Sequence, residues 1–303
     1  MNLEYFIQTL TKEQKDELAC LLSVDGMNEN IRFENGRFCP HCYYNKPIKR
    51  GIVRGNQRFY CSECKRYFTA NVKTILNYTK KDIRTWKIFI KRMFSTKPAT
   101  LKELATELPI CERTAFNWRH KILRVLEQKF MSDRLSGIIE ADETFILQSR
   151  KGKHIDGIIG RRSGGVSRYR GISHEQVGIL VGIDRDKNVI SKVYGNGKIS
   201  GANVVTTFTG RIDKKSLLIT DGCTAYREFA EYENIELKQI KGGKSIGNDI
   251  HLNTVNNYHS GLKRWLYSFN GVSTRYLNRY LAWFKFIKQK NDCAFLFNEL
   301  ILR

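Results

Sequence analysis

Two cysteine pairs constrain the first part of this chain more tightly than any other feature. Cys39-Pro-His-Cys42 and Cys61-Ser-Glu-Cys64 are CxxC knuckles with eighteen residues between them. At that spacing four thiolates can close a tetrahedral structural zinc site and leave no position for a substrate. His41 lies inside the first knuckle, but four cysteines already fill the shell. The intervening Arg54, Arg58, Phe59 and Tyr60 predict a small β-ribbon. A thioredoxin-like redox pair is a poor alternative, because there are two pairs and no βαβ context. Thiolates held by metal fit a reducing cytoplasm. The expected organisation therefore begins with a zinc ribbon over residues 31–75. A helical leader over 1–30 precedes it, with Thr11 and Gln14 at capping-box spacing.

Charge narrows the partner. The net charge of +22 over 303 residues calls for a polyanion. Between Lys46 and Lys97 there are fifteen Lys or Arg against Glu63 and Asp82 alone, which suits a phosphate backbone. No run of about 18 apolar residues exists, so no membrane span is expected. Met1–Ser23 carries charges throughout and does not resemble a signal peptide. Residues 79–94 show helical periodicity through Ile83, Trp86, Phe89, Ile90 and Phe94. Thr100 and Glu103 then form a second capping box, opening a short helix that ends near Leu108-Pro109. Another helix runs from about Cys111 to Glu127. Short helix, turn, second helix predicts a helix-turn-helix within a DNA-binding region over 76–134. Ala115, Trp118, Ile122 and Leu126 would face its core. Arg113, Thr114, Asn117, Arg119, Lys121 and Arg124 would face out toward DNA.

From Leu135 the texture becomes β. Strands are expected at 138–147, 176–184, 188–194, 216–221 and 235–240, with helices at 202–212, 224–231 and from about 251. The segment 150–173, with Arg150, Lys151, Lys153, Arg161, Arg162, Arg168 and Arg170, is read as a mobile basic hairpin or loop that can lie along DNA, or equally as a disordered surface loop. A single Asp at a strand end more often just turns a loop. Here Asp142 sits in IIEADETFI, Asp221 ends SLLITDG, and Asn256 lies on the helix of HLNTVNNYHSGLKRW. Lys263, seven residues later, shares a face with Asn256 at almost two turns. The order βββαβαβα is that of the ribonuclease H-like fold, with a mixed sheet. That fold would set the first and fourth strands side by side with the last helix across them. Two carboxylates and an amide oxygen meeting there would make a hard-cation site. Glu143 should point to the opposite face, and His251 and His259 are weaker candidate ligands.

The chain resembles bacterial insertion-sequence transposases of the DDE superfamily, in the group with an N-terminal zinc ribbon. The resemblance rests on CPHC, RFYC and CSEC, on IEADETFI, on LLITDGCTAYREF, and on HLNTVNNYHSGLKRWLYSFNGVSTRYLNRYLAWF. It implies an α+β multidomain protein whose catalytic domain spans 135–290, with a C-terminal tail over 291–303. Asp142 and Asp221 would be catalytic metal ligands. The third position, often Glu and in some subgroups Asn or His, would be Asn256, followed by Lys263 in a DDNK pattern. Zinc at Cys39, Cys42, Cys61 and Cys64 would be structural, and two Mg²⁺ or Mn²⁺ ions catalytic. The implied activity is binding of transposon ends, cleavage of the DNA strand and its transfer into a target. The partner would be double-stranded DNA, with a homo-oligomer assembled on it in the bacterial cytoplasm at the nucleoid. A catalytically decayed DNA-binding protein and a ribonuclease H-like nuclease or resolvase are the alternatives.

Overall fold

The computed structural model describes residues 11, 32–95, 98–130, 133–152, 165–240 and 250–289. The helical leader, the C-terminal tail, the basic loop at 241–247 and the middle of the 150–173 segment lie outside the described residues. The chain divides into two compact units, with the boundary between Val125 and Leu126. Among the described residues no helix is long and apolar enough to cross a membrane.

The first unit begins with a three-stranded antiparallel ribbon, β1 (Ile48–Val53), β2 (Asn56–Tyr60) and β3 (Tyr67–Thr69). Its core is small: Phe33, Phe59, Phe68 and Ala70 pack around Cys39 and Cys61. Then come α1 (Ile83–Met93), α2 (Leu101–Glu107) and α3 (Glu112–Lys129). Asp82 caps α1 through the Thr85 N–H. Thr100 and Glu103 form the expected capping box on α2. Trp86 stacks on Trp118 with centroids 3.8 Å apart, locking α1 to α3. Ala115, Trp118, Ile122 and Leu126 are all buried, as the periodicity requires.

The second unit is a mixed α/β sandwich. It contains β4 (Ile138–Leu147), β5 (Gln176–Asp184), β6 (Val189–Asn196), α4 (Gly201–Phe208), β7 (Leu217–Thr220), α5 (Thr224–Glu233), β8 (Glu236–Gln239), α6 (Asn253–Tyr267) and α7 (Leu277–Lys288). Sheet order is β6-β5-β4-β7-β8. The first three strands form an antiparallel meander, while β4–β7 and β7–β8 are parallel. This is the order expected from the sequence, with the first strand central and the fourth beside it. On one face, Ile139, Ala141, Leu180 and Leu218 pack against Val204 and Phe208 of α4 and Tyr226 and Phe229 of α5. The other face carries α6 and α7, where Tyr258 meets Phe284 and Trp265 meets Trp283. Strand alternation therefore sends Ile139, Ala141 and Glu143 to one side, and Glu140 and Asp142 to the other.

Candidate active site

The register of the parallel pair sets the two aspartates. Ile138, Ile139 and Glu140 pair with Leu217, Leu218 and Ile219. The same offset carried two residues on brings Asp142 level with Asp221, just past the end of β7. Asp221 is held by its own turn: its Oδ1 accepts the Cys223 N–H at 3.0 Å. Its backbone carbonyl accepts from Gln239 Nε2 at 3.0 Å. The α6 side of Asp142 is occupied by His259, whose Nδ1 lies 3.8 Å from Asp142 Oδ2.

Burial, then the nearby Asp221 charge, pushes the Asp142 carboxyl up to about 6, against the pull of Lys263. Glu143 is pushed up to about 7 by burial first, with Asp142 and Asp221 adding to it. Its carboxylate receives the Tyr226 hydroxyl of α5, on the sheet face opposite α6, as alternation requires. Burial drives the His259 imidazole down to about 4, so it is neutral at physiological pH. Lys263 is exposed, yet its charge is felt by both Asp142 and His259. Asn256 is also exposed, and its side chain makes no hydrogen bond among the described residues. A carboxyl that resists ionising beside a second carboxylate, as Asp142 does beside Asp221, is a donor that a hard cation would relieve.

The sign of that effect can be tested. Asp142 and Glu143 have folded pKa values above the ordinary 3.8 and 4.5. The stability they contribute is complete below about pH 4 and is lost as pH rises through about 6 to 7. A cation that binds ionised Asp142 opposes the Asp142 share of that loss. The rise in Tm on adding Mn²⁺ should therefore grow by several degrees from pH 5.5 to pH 8, and shrink in Asp142→Asn. A pH-independent rise would contradict this electrostatic account.

The four knuckle cysteines are the one group of three or more His, Cys, Asp or Glu among the described residues whose ligand atoms converge, all within 4.8 Å. Cys39 and Cys64 sulfurs are 3.6 Å apart, and those of Cys42 and Cys61 3.5 Å. A tetrahedron with metal–sulfur bonds of about 2.3 Å has edges of roughly 3.8 Å, so the set fits zinc. The knuckles match each other in backbone. The Cys39 N–H donates to Tyr44 O at 2.7 Å and the Cys61 N–H to Arg66 O at 3.0 Å. The residue after each second cysteine, Tyr43 and Lys65, has positive φ.

The expected DNA-reading residues separate into two groups. Arg113 and Asn117 are exposed on α3 and Thr114 is half-buried. Arg119 corrects the expectation that it faces out: it is 2% exposed and donates to Ala99 O at 2.6 Å. Lys121 is half-buried and donates to Ile75 O and Asn77 O. The reason is helical geometry, since Arg119 lies one turn from both Ala115 and Ile122 on the buried face. Arg119→Ala should therefore cost about 1.5–3 kcal/mol of stability through a lost charged hydrogen bond, read by denaturant unfolding. A stable Arg119→Ala protein with altered sequence preference would restore the original expectation.

Sequence reasoning missed Glu140 and the Glu143–Tyr226 pair. Glu140 is 1% exposed and accepts from the start of α6. The available signal was a further carboxylate two residues before Asp142 in the run IIEADETFIL.

A protein of transposable element ISH50 from Halobacterium salinarum, itself uncharacterized, is 27% identical over 263 residues, covering 84% of this chain and 86% of that protein. The mariner Mos1 paired-end complex with Mg overlaps 70% of this chain and 79% of its own at 12% identity and TM-score 0.27. A simian T-cell lymphotropic virus intasome overlaps 64% and 66% at 12% identity and TM-score 0.30. Structural overlap this low does not bear on the chemistry here. Residues 134–288, half of the chain and nearly all of the sandwich, match the ISXO2-like transposase domain, and the chain belongs to that transposase family.

Proposed function

We propose that this transposase binds the terminal repeats of its own insertion element and cuts them at a site formed by Asp142, Asp221 and Asn256. The observation that carries the reading is the β4–β7 register, which brings Asp142 and Asp221 level under the helix that bears Asn256 and Lys263. The second unit is then a ribonuclease H-like catalytic domain of the DDE type. Asp142 and Asp221 supply carboxylate oxygens, and Asn256 supplies a neutral carbonyl oxygen. When bound, one or two Mg²⁺ or Mn²⁺ ions would polarise the scissile phosphate and activate the attacking hydroxyl. Lys263 holds a phosphate beside the cut, and neutral His259 keeps water from the inner side of Asp142.

The first unit grips DNA. Its ribbon is held by zinc on Cys39, Cys42, Cys61 and Cys64. A cavity of about 1490 Å³ in this unit is lined by Arg54, Arg58, Arg66, Lys80, Lys81 and Arg84, a lining suited to phosphates. Arg113, Thr114 and Asn117 on α3 read base edges in the major groove. If about six basic residues meet phosphates, log K against log salt should slope near −5. A flat response would remove the electrostatic footprint. Arg113→Ala should weaken preference for the repeat over random DNA.

The experiment that tests the whole reading is a joining assay with the inverted repeats that flank the coding region. Labelled repeat DNA should become linked to a target plasmid only with divalent metal. Equal action on scrambled or branched DNA would favour a structure-selective nuclease instead.

A further inference from the structure

At the first turn of α6 the Asn253 N–H reaches back to His251 Nδ1 at 3.4 Å, but the N-cap residue itself caps nothing. Leu252 precedes the helix and offers no side-chain acceptor, although the first N–H groups of any helix need partners. The Thr254 and Val255 N–H groups donate instead to Glu140 Oε2 on β4, at 2.8 and 3.0 Å. The other carboxylate oxygen receives Arg185, from the turn after β5, and lies 3.0 Å from His251 Nδ1. Arg185 Nη1 also reaches Thr254 Oγ1 at 3.2 Å, so strand, turn and helix are tied together.

Burying a carboxylate is costly unless it is fully partnered, and apolar residues could fill the same space. What an apolar residue could not do is hold the helix at one level. Glu140 and Asp142 are two residues apart on one face of β4, about 6.7 Å along the strand. Val255 and His259 are four residues apart on α6, about 6 Å along the helix. The Glu140–Val255 bond and the Asp142–His259 approach are thus two nearly parallel rungs between β4 and α6. Asn256 falls between them in the chain.

We propose that Glu140 is a positioning residue for the cleavage reaction: by pinning the start of α6 to the strand that carries Asp142, it fixes Asn256 and Lys263 at the level of the two aspartates. This rests on the reading of Asn256 as a metal ligand. A helix freed from the pin can slide, and a displacement of about 1 Å is enough to cost on the order of a hundredfold in rate.

The test uses full-length Glu140→Asp, Glu140→Gln and Asn256→Ala. Aspartate keeps the charge but draws the carboxylate back by about 1.5 Å, so the pin must either lengthen or drag the helix. Glutamine keeps the length and one acceptor for the two N–H groups. Mn²⁺ binding by electron paramagnetic resonance, Kd for repeat DNA, kcat for cleavage and Tm would be measured together. Glu140→Asp should weaken Mn²⁺ binding by about tenfold or more, the size expected when the support of a ligand is lost. Its kcat should fall while Kd for DNA stays unchanged, and Glu140→Gln should lie nearer wild type than Glu140→Asp. A lower Tm with wild-type Mn²⁺ binding and kcat in Glu140→Asp, beside an impaired Asn256→Ala, would reduce Glu140 to an ordinary cap and overturn the proposal. Wild-type Mn²⁺ binding in Asn256→Ala would overturn the reading of Asn256 itself, and the proposal with it.

Discussion

Asp142→Ala and Asp221→Ala should each lower metal-dependent cleavage of a terminal repeat by a factor on the order of 10³ or more, while Kd for the same DNA stays within about threefold. The asymmetry follows from the donor set. With Asn256 in the third position, the proposed site draws its negative charge from two carboxylates rather than three. Removing either leaves a single charge to hold a cation whose preferred ligands are oxygens. Lys263 and the partly buried surroundings then oppose cation binding instead of balancing it. Asn256→Ala should be milder, on the order of a hundredfold, because a neutral oxygen is lost and water can take its place. Lys263→Ala should cost about tenfold, one phosphate contact. Labelled repeat DNA with Mg²⁺ or Mn²⁺, resolved on a gel, measures all four. Cleavage by Asp142→Ala within a few-fold of wild type would place the chemistry elsewhere.

Cys39→Ser or Cys61→Ser should release one zinc per chain and unfold the ribbon, abolishing tight end binding. Three short strands around Phe33, Phe59, Phe68 and Ala70 bury too little apolar surface to stand alone. In such a module the free energy of metal binding is the free energy of folding. The sulfur pairs at 3.5 and 3.6 Å already have the spacing of a filled tetrahedron. The five-stranded sheet should survive, since its core shares no residue with the ribbon's. Metal analysis together with hydrogen exchange on the full-length variants would check both halves. A protected ribbon in a zinc-free protein would contradict the metal's structural role.

Much of this was legible in the sequence because local rules and the fold agree. The knuckle spacing announced the ribbon, and Thr100 with Glu103 announced the start of α2. The strands 138–147 and 176–184 were bounded by their apolar runs and turn residues, and they fold at those limits. Element order alone put Asp142 beside Asp221. What escaped was long-range. No local pattern says that Glu140 caps a helix more than a hundred residues away, or that Tyr226 meets Glu143. Arg119 escaped for another reason. Its charge argued for solvent, whereas its place one turn from Ala115 and Ile122 argued for the core, and position decided.

The central claim is that a chain with Asn256 in place of a third carboxylate still cuts DNA with a divalent ion. Single-turnover nicking of an end-labelled terminal repeat by the full-length protein tests it most directly. The wild type should nick at the element boundary on addition of Mn²⁺, fall silent in EDTA, and lose on the order of a hundredfold in Asn256→Ala, all at unchanged DNA affinity. Tight binding of the repeat with no metal-dependent nick from the wild type would contradict the account and leave a DNA-binding protein whose catalytic site has decayed.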